Sequence, residues 1–463
     1  MLNGEVSFWS ATLGADARHD PLDGDATVDI AIVGGGLTGL WAAYYLSRAV
    51  PDAQILVIES KFCGFGASGR NGGWLSAEVP GNRRRYGEIA QRAGRDPVAA
   101  NRALTAALEG SVAEVAQRLD DEGIDCDAEH SGVITVARCA AQQARLRAEV
   151  AEAEHLGSTA VQWLTADELA ARISVDSAVA GSFSPHCIRV QPAALTRGVA
   201  DAVVRHGVRI VENTTATQIG ERRVITDRGR VDATHVLVCV EGFTPRLPGA
   251  KRSLLPMNSS MVVTDPLPEH IWDEIGWGGA ELLGETAHAY TYAQRTADGR
   301  IAMGGRGVPY RFGSGIDDDG VTQERTARAI TRALRTLFPA ARDVPIAQAW
   351  CGVLGVHRDW CASIGYDGAT GIGHANGYVG SGLTMTNLAG RTLCDLVTGK
   401  TSELTELPWV AHATPRWEFE PLRYLGVSTM YAAYRGADRL ELRSSSSRTN
   451  VLARVADRVS GRA

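Results

Sequence analysis

Six consecutive residues, Gly34-Gly35-Gly36-Leu37-Thr38-Gly39, fit the pattern G-x-G-x-x-G, and a carboxylate, Glu59, follows twenty positions after the last glycine. Each glycine has a physical task. Gly34 permits a tight turn, Gly36 lets backbone N–H groups approach a pyrophosphate at the positive end of a helix, and Gly39 allows that helix to lie close on the preceding strand. Glu59, followed by Ser60 and Lys61, is placed to accept hydrogen bonds from ribose hydroxyls. The chemistry implied is the binding of a dinucleotide. FAD and NAD share the ADP half that this pattern reads, so it does not separate them.

The flanking residues supply the elements such a turn needs. Val28 to Val33 is a compact apolar run rich in β-branched residues, and Ile55 to Ile58 is a second. Between them Leu37, Leu40, Trp41, Tyr44 and Tyr45 recur at helical spacing until Pro51. Strand, helix and strand within about thirty residues predict a βαβ unit with parallel strands.

Two further glycine-rich segments stand out. The first, Phe65-Gly66-Ala67-Ser68-Gly69-Arg70-Asn71-Gly72-Gly73-Trp74, comes just after the second strand. The second is Gly377-Tyr378-Val379-Gly380-Ser381-Gly382-Leu383-Thr384-Met385-Thr386-Asn387. Alone, each reads equally as a plain loop or a packing turn. In their order along the chain they resemble the two flavin-contacting elements of the D-amino-acid-oxidase-like, or glycine/sarcosine oxidase, superfamily. The resemblance spans nearly the whole chain, including Trp350-x-Gly352 and Asp359 to Gly365. Through Gly66 to Gly73 and the stretch Trp417 to Gly426, it is nearest to the γ-glutamylputrescine oxidoreductase-like branch.

That resemblance implies FAD as cofactor. Gly66, Ala67, Gly72, Gly73 and Trp74 would let backbone lie against the isoalloxazine, and Ser68, Arg70 and Asn71 would address its polar edge or the phosphates. Gly380, Gly382, Leu383 and Thr384 would open a helix whose N-terminus faces the N1/C2 edge, where reduction places negative charge. The activity implied is oxidation of a C–N bond in a small amine or N-substituted amino acid, with hydride transfer to flavin and hydrolysis of the imine. Oxygen or another acceptor takes the electrons. The alternative, from a different class, is a flavin-bearing electron-transfer subunit of a larger dehydrogenase complex.

Amino-acid oxidases of this type carry an arginine two residues after the glycine of Trp-x-Gly, which pairs with the substrate carboxylate. Here that position is Leu354, which favours an amine or a carboxylate held elsewhere. On the substrate side the candidates are Tyr290 and Tyr292, Arg306 and His357. Each has a plainer reading: a packed strand face, a solvated turn and a structural histidine. Relatives with a lysine near the flavin use it in oxygen reduction, whereas Arg306 to Arg311 contains no lysine. Some relatives tether FAD covalently, which makes Cys63, Cys351 and Cys361 candidates beside the commoner fate of an inert buried thiol.

The chain has 463 residues, too many for one ordinary core. Segments 1–86, 187–247 and 349–405 are expected to form a discontinuous Rossmann-like FAD-binding domain. Segments 87–186 and 248–348 would form a mostly antiparallel β substrate domain with helices, and 406–463 a C-terminal tail with helices. The fold class is thus α/β, or α+β overall. Long helices are predicted over Tyr86 to Glu122 and Ala140 to Leu156, with strands at Ser260 to Thr264, Ala289 to Ala293 and Arg300 to Met303.

Net charge is −6 and basic residues are spread along the chain, so nucleic acid is not an expected partner. Eight scattered cysteines form no C-x-x-C pair and have no accompanying histidine cluster, so no metal site is expected. The uncharged stretch from Gly368 to Gly390 is broken by glycine and asparagine and is not a membrane span. Reduced thiols and the lack of a signal-like start point to the cytoplasm.

Overall fold

The computed structural model describes residues 1–14, 18–158, 160–305 and 309–462. Two sheets organise the chain. In the first, the β-branched run at Ala26–Val33 lies between Ile55–Ile58 and Arg230–Val238, parallel to both, and Arg209–Val211 extends the sheet beyond Ile55–Ile58. The long strand Arg230–Val238 divides its outer edge. Its first half pairs antiparallel with Arg223–Thr226, and its second half pairs parallel with Ile372–Asn376.

Val28 to Val33 and Ile55 to Ile58 therefore pair as the βαβ reading requires. Ile32, Leu56 and Val57 are fully buried, as expected of strands covered on both faces. Helix Leu37–Ala49 covers one face and is itself buried on nearly every side, Trp41 and Tyr44 included. Helix Gly382–Thr398 packs across it at Gly390, where a Cβ would stand 2.7 Å from the Trp41 backbone. Overpacking a contact that tight is costly, so the last helix seats on the first only through a glycine.

The second sheet has nine strands. Its centre is antiparallel, Leu255–Thr264 lying between Ile346–Val356 and Ile301–Gly305, followed by Thr291–Arg295 and Leu282–Glu285. Val133–Ala137 then joins in parallel, and Ala180–Ser184 and Gln162–Leu164 complete that edge. The other edge is Leu2–Asn3, parallel to Ile346–Val356. Helix Glu324–Leu337 packs Ala327, Ile330 and Leu334 into this sheet's core.

Two local readings change. Tyr86 to Glu122 is not one helix but two, Arg83–Arg92 and Pro97–Glu122, separated where Gly94 takes φ +73° and Pro97 starts a new helix capped by Asp96; proline suits a first turn and not an interior. Ile346–Val356, most of which the sequence division gives to the cofactor domain, is hydrogen-bonded into the nine-stranded sheet. Its register is set by ten cross-strand residue pairs that no local pattern announces. The segment after Lys400 carries helices, as in the sequence reading, at Leu422–Glu441 and Val451–Ser460. No helix among the described residues is long and apolar enough to cross a membrane.

Candidate active site

A cavity of about 890 Å³ opens where the two sheets meet, lined by both glycine turns, by the nine-stranded sheet and by the C-terminal helix. This is within the range of sites that enclose a sizeable organic ligand.

Its dinucleotide end is built by the strand Ala26–Val33 and the turn after it. Gly34 has φ +111°, and a Cβ there would stand 2.5 Å from the Cys239 carbonyl oxygen. The turn is therefore closed to side chains on both conformational and steric grounds. Gly36 is the N-cap of helix Leu37–Ala49 and has no side chain to satisfy its N–H groups; only the Leu37 N–H finds one nearby, donating to Ser68 Oγ at 2.9 Å. Gly36 and Thr38 line the cavity at this uncapped helix start, which is the arrangement a pyrophosphate requires. Glu59 accepts from the Gly35 N–H (2.8 Å) and the Lys61 N–H (2.9 Å). Burial raises its pKa and these backbone donors oppose the rise. Ser60 and Lys61 line the cavity beside it.

The loop after Ile55–Ile58 is held from behind. Arg70 donates to the carbonyls of Phe65 (2.7 Å), Cys351 (3.3 Å) and Asp318 (2.8 Å). Its side chain is thus a strut between the two sheets, with a pKa lowered by burial. Asn71 Nδ2 donates to the Ala67 and Ser68 carbonyls, while its Oδ1 accepts from the Gly73 N–H at 2.7 Å. Gly73, at φ +70°, packs against the Val190 carbonyl, and a Cβ at Gly72 would stand 2.6 Å from the Tyr292 ring. Gly66, Ala67, Ser68, Arg70, Asn71, Gly72 and Trp74 line the cavity, whereas Gly73 stands behind it.

The late loop closes the other side. Gly380 takes φ +113°, and helix Gly382–Thr398 begins at Ser381 without a side-chain cap. Gly380, Gly382 and Leu383 line the cavity. Thr384 does not, and its buried hydroxyl has no hydrogen-bond partner among the described residues. Thr38 Oγ1 and the Tyr378 hydroxyl, 3.1 Å apart, join the early and late turns directly. Gly39 lies behind the early turn, where a Cβ would run into the Gly34 carbonyl.

One element of this frame went unread in the sequence. Glu241, directly after the strand Arg230–Val238, accepts from the N–H groups of Gly355 (2.5 Å), Gly377 (3.1 Å) and Tyr378 (3.2 Å). A single carboxylate thereby ties the late loop to the Trp350 strand. Burial raises it to about 7 against those donors. The only sequence signal was an acid followed by glycine at a strand end.

The substrate-side candidates fare differently. Tyr290 and Tyr292 line the cavity, with Trp74 edge-on to Tyr292 at 5.8 Å and the Tyr292 hydroxyl 3.2 Å from Ser259 Oγ. Leu354 also faces it. His357 does not. It is buried with Nε2 2.8 Å from Asn376 Oδ1 and Nδ1 3.2 Å from the Ser253 carbonyl, and burial lowers its pKa. It braces the fold, because its position at the end of Ile346–Val356 turns it away from the cavity. Arg306 lies outside the described residues.

Cys63, Cys351 and Cys361 all lie off the cavity. Burial raises each thiol, that of Cys351 to about 11. Among the described residues two groups of metal-capable side chains come together, Asp359/Cys361/His412 and His288/Asp438/Glu441. Their members already engage one another, His412 with Asp359 at 2.6 Å and His288 with Glu441 at 3.2 Å. Thr449, Arg454, Asp457 and Arg462 of the C-terminal segment, and Glu78, Glu149 and Glu285 elsewhere, also line the cavity. None of these seven was singled out in the sequence.

A parallel sheet with a glycine turn at its first helix, closed by a second glycine turn at its last, defines a flavin-dependent oxidoreductase. The chain belongs to the DAO family of FAD dependent oxidoreductases, whose pattern matches residues 29–396. FAD is its cofactor, and the side-chain-free turns and uncapped helix ends fit it. Among curated proteins, the chain is 30% identical over 407 residues to the gamma-glutamylputrescine oxidoreductase of Escherichia coli strain K12. That match covers 86% of this chain and 90% of the relative. Among solved structures the fold is similar to glycine oxidase from Geobacillus kaustophilus (TM-score 0.66, 20% identity, 84% of this chain and 100% of that one). It is likewise similar to L-proline dehydrogenase from P. horikoshii (TM-score 0.67, 18% identity, 84% and 98%).

Proposed function

We propose that this protein oxidises a C–N bond of a small amine or N-substituted amino acid, releasing an imine that water hydrolyses. FAD supplies the two-electron acceptor for the hydride. The observation that carries the reading is the continuity of the cavity. It runs from the two glycine turns, past Gly72 and Leu354, to Tyr290, Tyr292 and Trp74 without meeting an arginine at position 354. That leaves an apolar and aromatic approach suited to the carbon beside an amine nitrogen. The curated relative named for γ-glutamylputrescine supports an amine.

In this reading Gly34, Gly36, Leu37 and Thr38 would hold the pyrophosphate, Gly39 lets the helix close on the turn behind them, and Glu59, Ser60 and Lys61 would hold the adenosine ribose. The cavity-lining residues of the Gly66 to Trp74 loop would support the flavin ring, and Gly380, Gly382 and Leu383 would offer it N–H donors and a helix dipole at its N1/C2 edge, with Thr384 buried in the helix behind them. Tyr292 and Tyr290 pack the substrate against the ring, which contributes by orientation. The parallel-sheet unit serves the cofactor and the nine-stranded sheet the substrate. The electrons pass to oxygen or another acceptor. Eight free cysteines fit a reducing compartment such as the cytoplasm.

The test is anaerobic. The purified holoenzyme is mixed with a panel of amines, N-methyl amino acids and amino acids, and loss of the flavin band is followed. Bleaching by at least one amine class is expected; bleaching by a nicotinamide cofactor alone would overturn the reading.

A further inference from the structure

We infer that the outer face of the segment from Arg439 to Val459 is a docking surface for an anionic lipid bilayer, on which the protein lies peripherally with its cavity close by. Docking is independent of the substrate that the cavity takes.

Helix Val451–Ser460 is built the wrong way round for an element that only covers a core. Its small residues face inward, Ala453 and Ala456 being buried against Tyr434 and Ala437 of helix Leu422–Glu441. Its larger aliphatic residues face out. Val451, Val455 and Val459, one turn apart along one side, are 55–60% exposed, and Leu452 beside them is 45% exposed. A surface helix of a globular protein buries such a stripe, and a cluster of aliphatic side chains left in water marks an interaction surface. The two helices approach each other at Gly436, where a Cβ would stand 3.6 Å from Leu452 Cδ1. One turn further on, Leu440 is exposed too and extends the patch onto the preceding helix.

Charge is sorted in the same direction. Residues 431–463 hold seven arginines and three acids. All three acids turn to inner partners. Asp438 accepts from the N–H groups of His288 (2.8 Å) and Ala289 (3.0 Å), Glu441 pairs with Arg145 (2.9 Å), and Asp457 accepts from the Tyr434 hydroxyl (2.7 Å). Arg439, Arg443, Arg448, Arg454 and Arg458 are exposed, and no ion pair holds them among the described residues. The solvent face therefore combines aliphatic side chains with unneutralised positive charge, on a chain whose net charge is −6.

That combination selects the occupant. A helix with an apolar stripe edged by arginine lies in the interface of an anionic membrane, its aliphatic groups at the acyl boundary and its guanidinium groups at the phosphates. Arg454 and Arg458 stand one turn apart along the edge of the valine stripe. A second copy of this chain is a poorer match, because a twofold contact through this face sets arginine against arginine with no exposed acid on the segment to answer it. Nucleic acid would use the arginines and leave the aliphatic stripe in water. Arg454 and Asp457 also line the cavity, so docking brings that side of the cavity to the lipid surface.

The test is co-sedimentation of the holoenzyme with vesicles of equal parts phosphatidylglycerol and phosphatidylcholine, against vesicles of phosphatidylcholine alone. Partition into the anionic vesicles should be at least about tenfold stronger. Raising salt from about 0.05 to 0.5 M should weaken it by a similar factor, because the screening length shrinks to a few ångströms. Each arginine near an anionic leaflet strengthens binding by roughly fivefold, so Arg443→Gln with Arg448→Gln should weaken partition by at least about tenfold. Val455→Asp with Val459→Asp should do the same by removing the apolar half. Both variants change exposed side chains and should keep the wild-type flavin absorbance and Tm; should the aspartate pair lose its flavin, Val455→Ser with Val459→Ser gives the same reading. No partition of the wild type, equal partition into neutral vesicles, or binding that survives the valine substitutions would overturn the docking surface. A concentration-dependent dimer that the valine substitutions dissolve, without partition into vesicles, assigns the face to a second copy and overturns it as well.

Discussion

Gly36→Ala separates the two jobs of the early turn. At this position φ is −84° and ψ 174°, ordinary extended backbone, and a Cβ would meet only Ser68 Oγ, at 3.1 Å. A short hydroxymethyl can turn aside. Alanine also restricts the unfolded chain, by roughly 0.4–1 kcal/mol, which offsets a few tenths lost at an N-cap. The apoprotein should therefore change by less than about 1 kcal/mol. The added methyl nevertheless occupies the space through which the backbone N–H groups reach a pyrophosphate. Hydrogen bonds to a charged group contribute roughly 1.5–3 kcal/mol each, so losing two weakens FAD binding by about 3–6 kcal/mol, or more than a hundredfold.

Thermal unfolding with and without FAD reads both quantities. At a hundredfold excess over Kd the cofactor adds about 2.7 kcal/mol to the wild type, and in Gly36→Ala that increment should vanish while the apoprotein Tm stays near the wild-type value. Gly34→Ala is the contrast, because its φ of +111° and the Cys239 carbonyl make it unfold the turn itself. A yellow Gly36→Ala protein with wild-type affinity would refute the placement of the pyrophosphate, and a collapsed apoprotein would refute the claim that the position is free of strain.

Further outcomes follow from the same geometry. Glu149 and Glu241 are both raised to about 7 by burial. A carboxyl whose folded pKa exceeds its unfolded one stabilises fully below the unfolded value and loses that contribution as pH rises through the folded one. The apoprotein Tm should thus fall between about pH 4.5 and 7, and Glu149→Gln should flatten part of that slope; a curve parallel to wild type would count against it. His357→Ala removes the buried link between Asn376 and Ser253 and should lower stability by roughly 1–3 kcal/mol. Its kcat per bound flavin should stay within about twofold, and a hundredfold loss in kcat would restore a catalytic role. With Cys63, Cys351 and Cys361 off the cavity, Ser at any of them should leave flavin content unchanged. Acid precipitation of each variant, with the flavin measured in the supernatant, checks this.

The readable parts of the site were those where backbone, not side chain, does the work. A Cβ at Gly34 would stand 2.5 Å from the Cys239 carbonyl and one at Gly39 2.1 Å from the Gly34 carbonyl, so these two positions tolerate only glycine, while Gly36 leaves room for a ligand; the three are visible as letters in a row. The same holds for Gly72 against Tyr292 and Gly380 at φ +113°. Side chains offered less. His357 and Tyr292 are equally conspicuous in the sequence, and only the strand's course turns one toward Asn376 and the other toward the cavity. Arg70 reads as a cofactor ligand because of its neighbours, yet three carbonyls from Phe65, Cys351 and Asp318 take its donors.

By itself the sequence determined the local units, the βαβ start and the two glycine turns in their order, because strand and helix periodicity and the steric demand for glycine act over a few residues; the flavoprotein class followed from the family that these segments resemble. What the tertiary structure decided was which distant groups share the cavity. Glu241 is brought to Gly355 and Gly377, Glu78 to Ser381, and the helix Val451–Ser460 to the rim. Such placements depend on the register of strands a hundred or more residues apart and on the packing of whole layers, and no short-range pattern of residues encodes them.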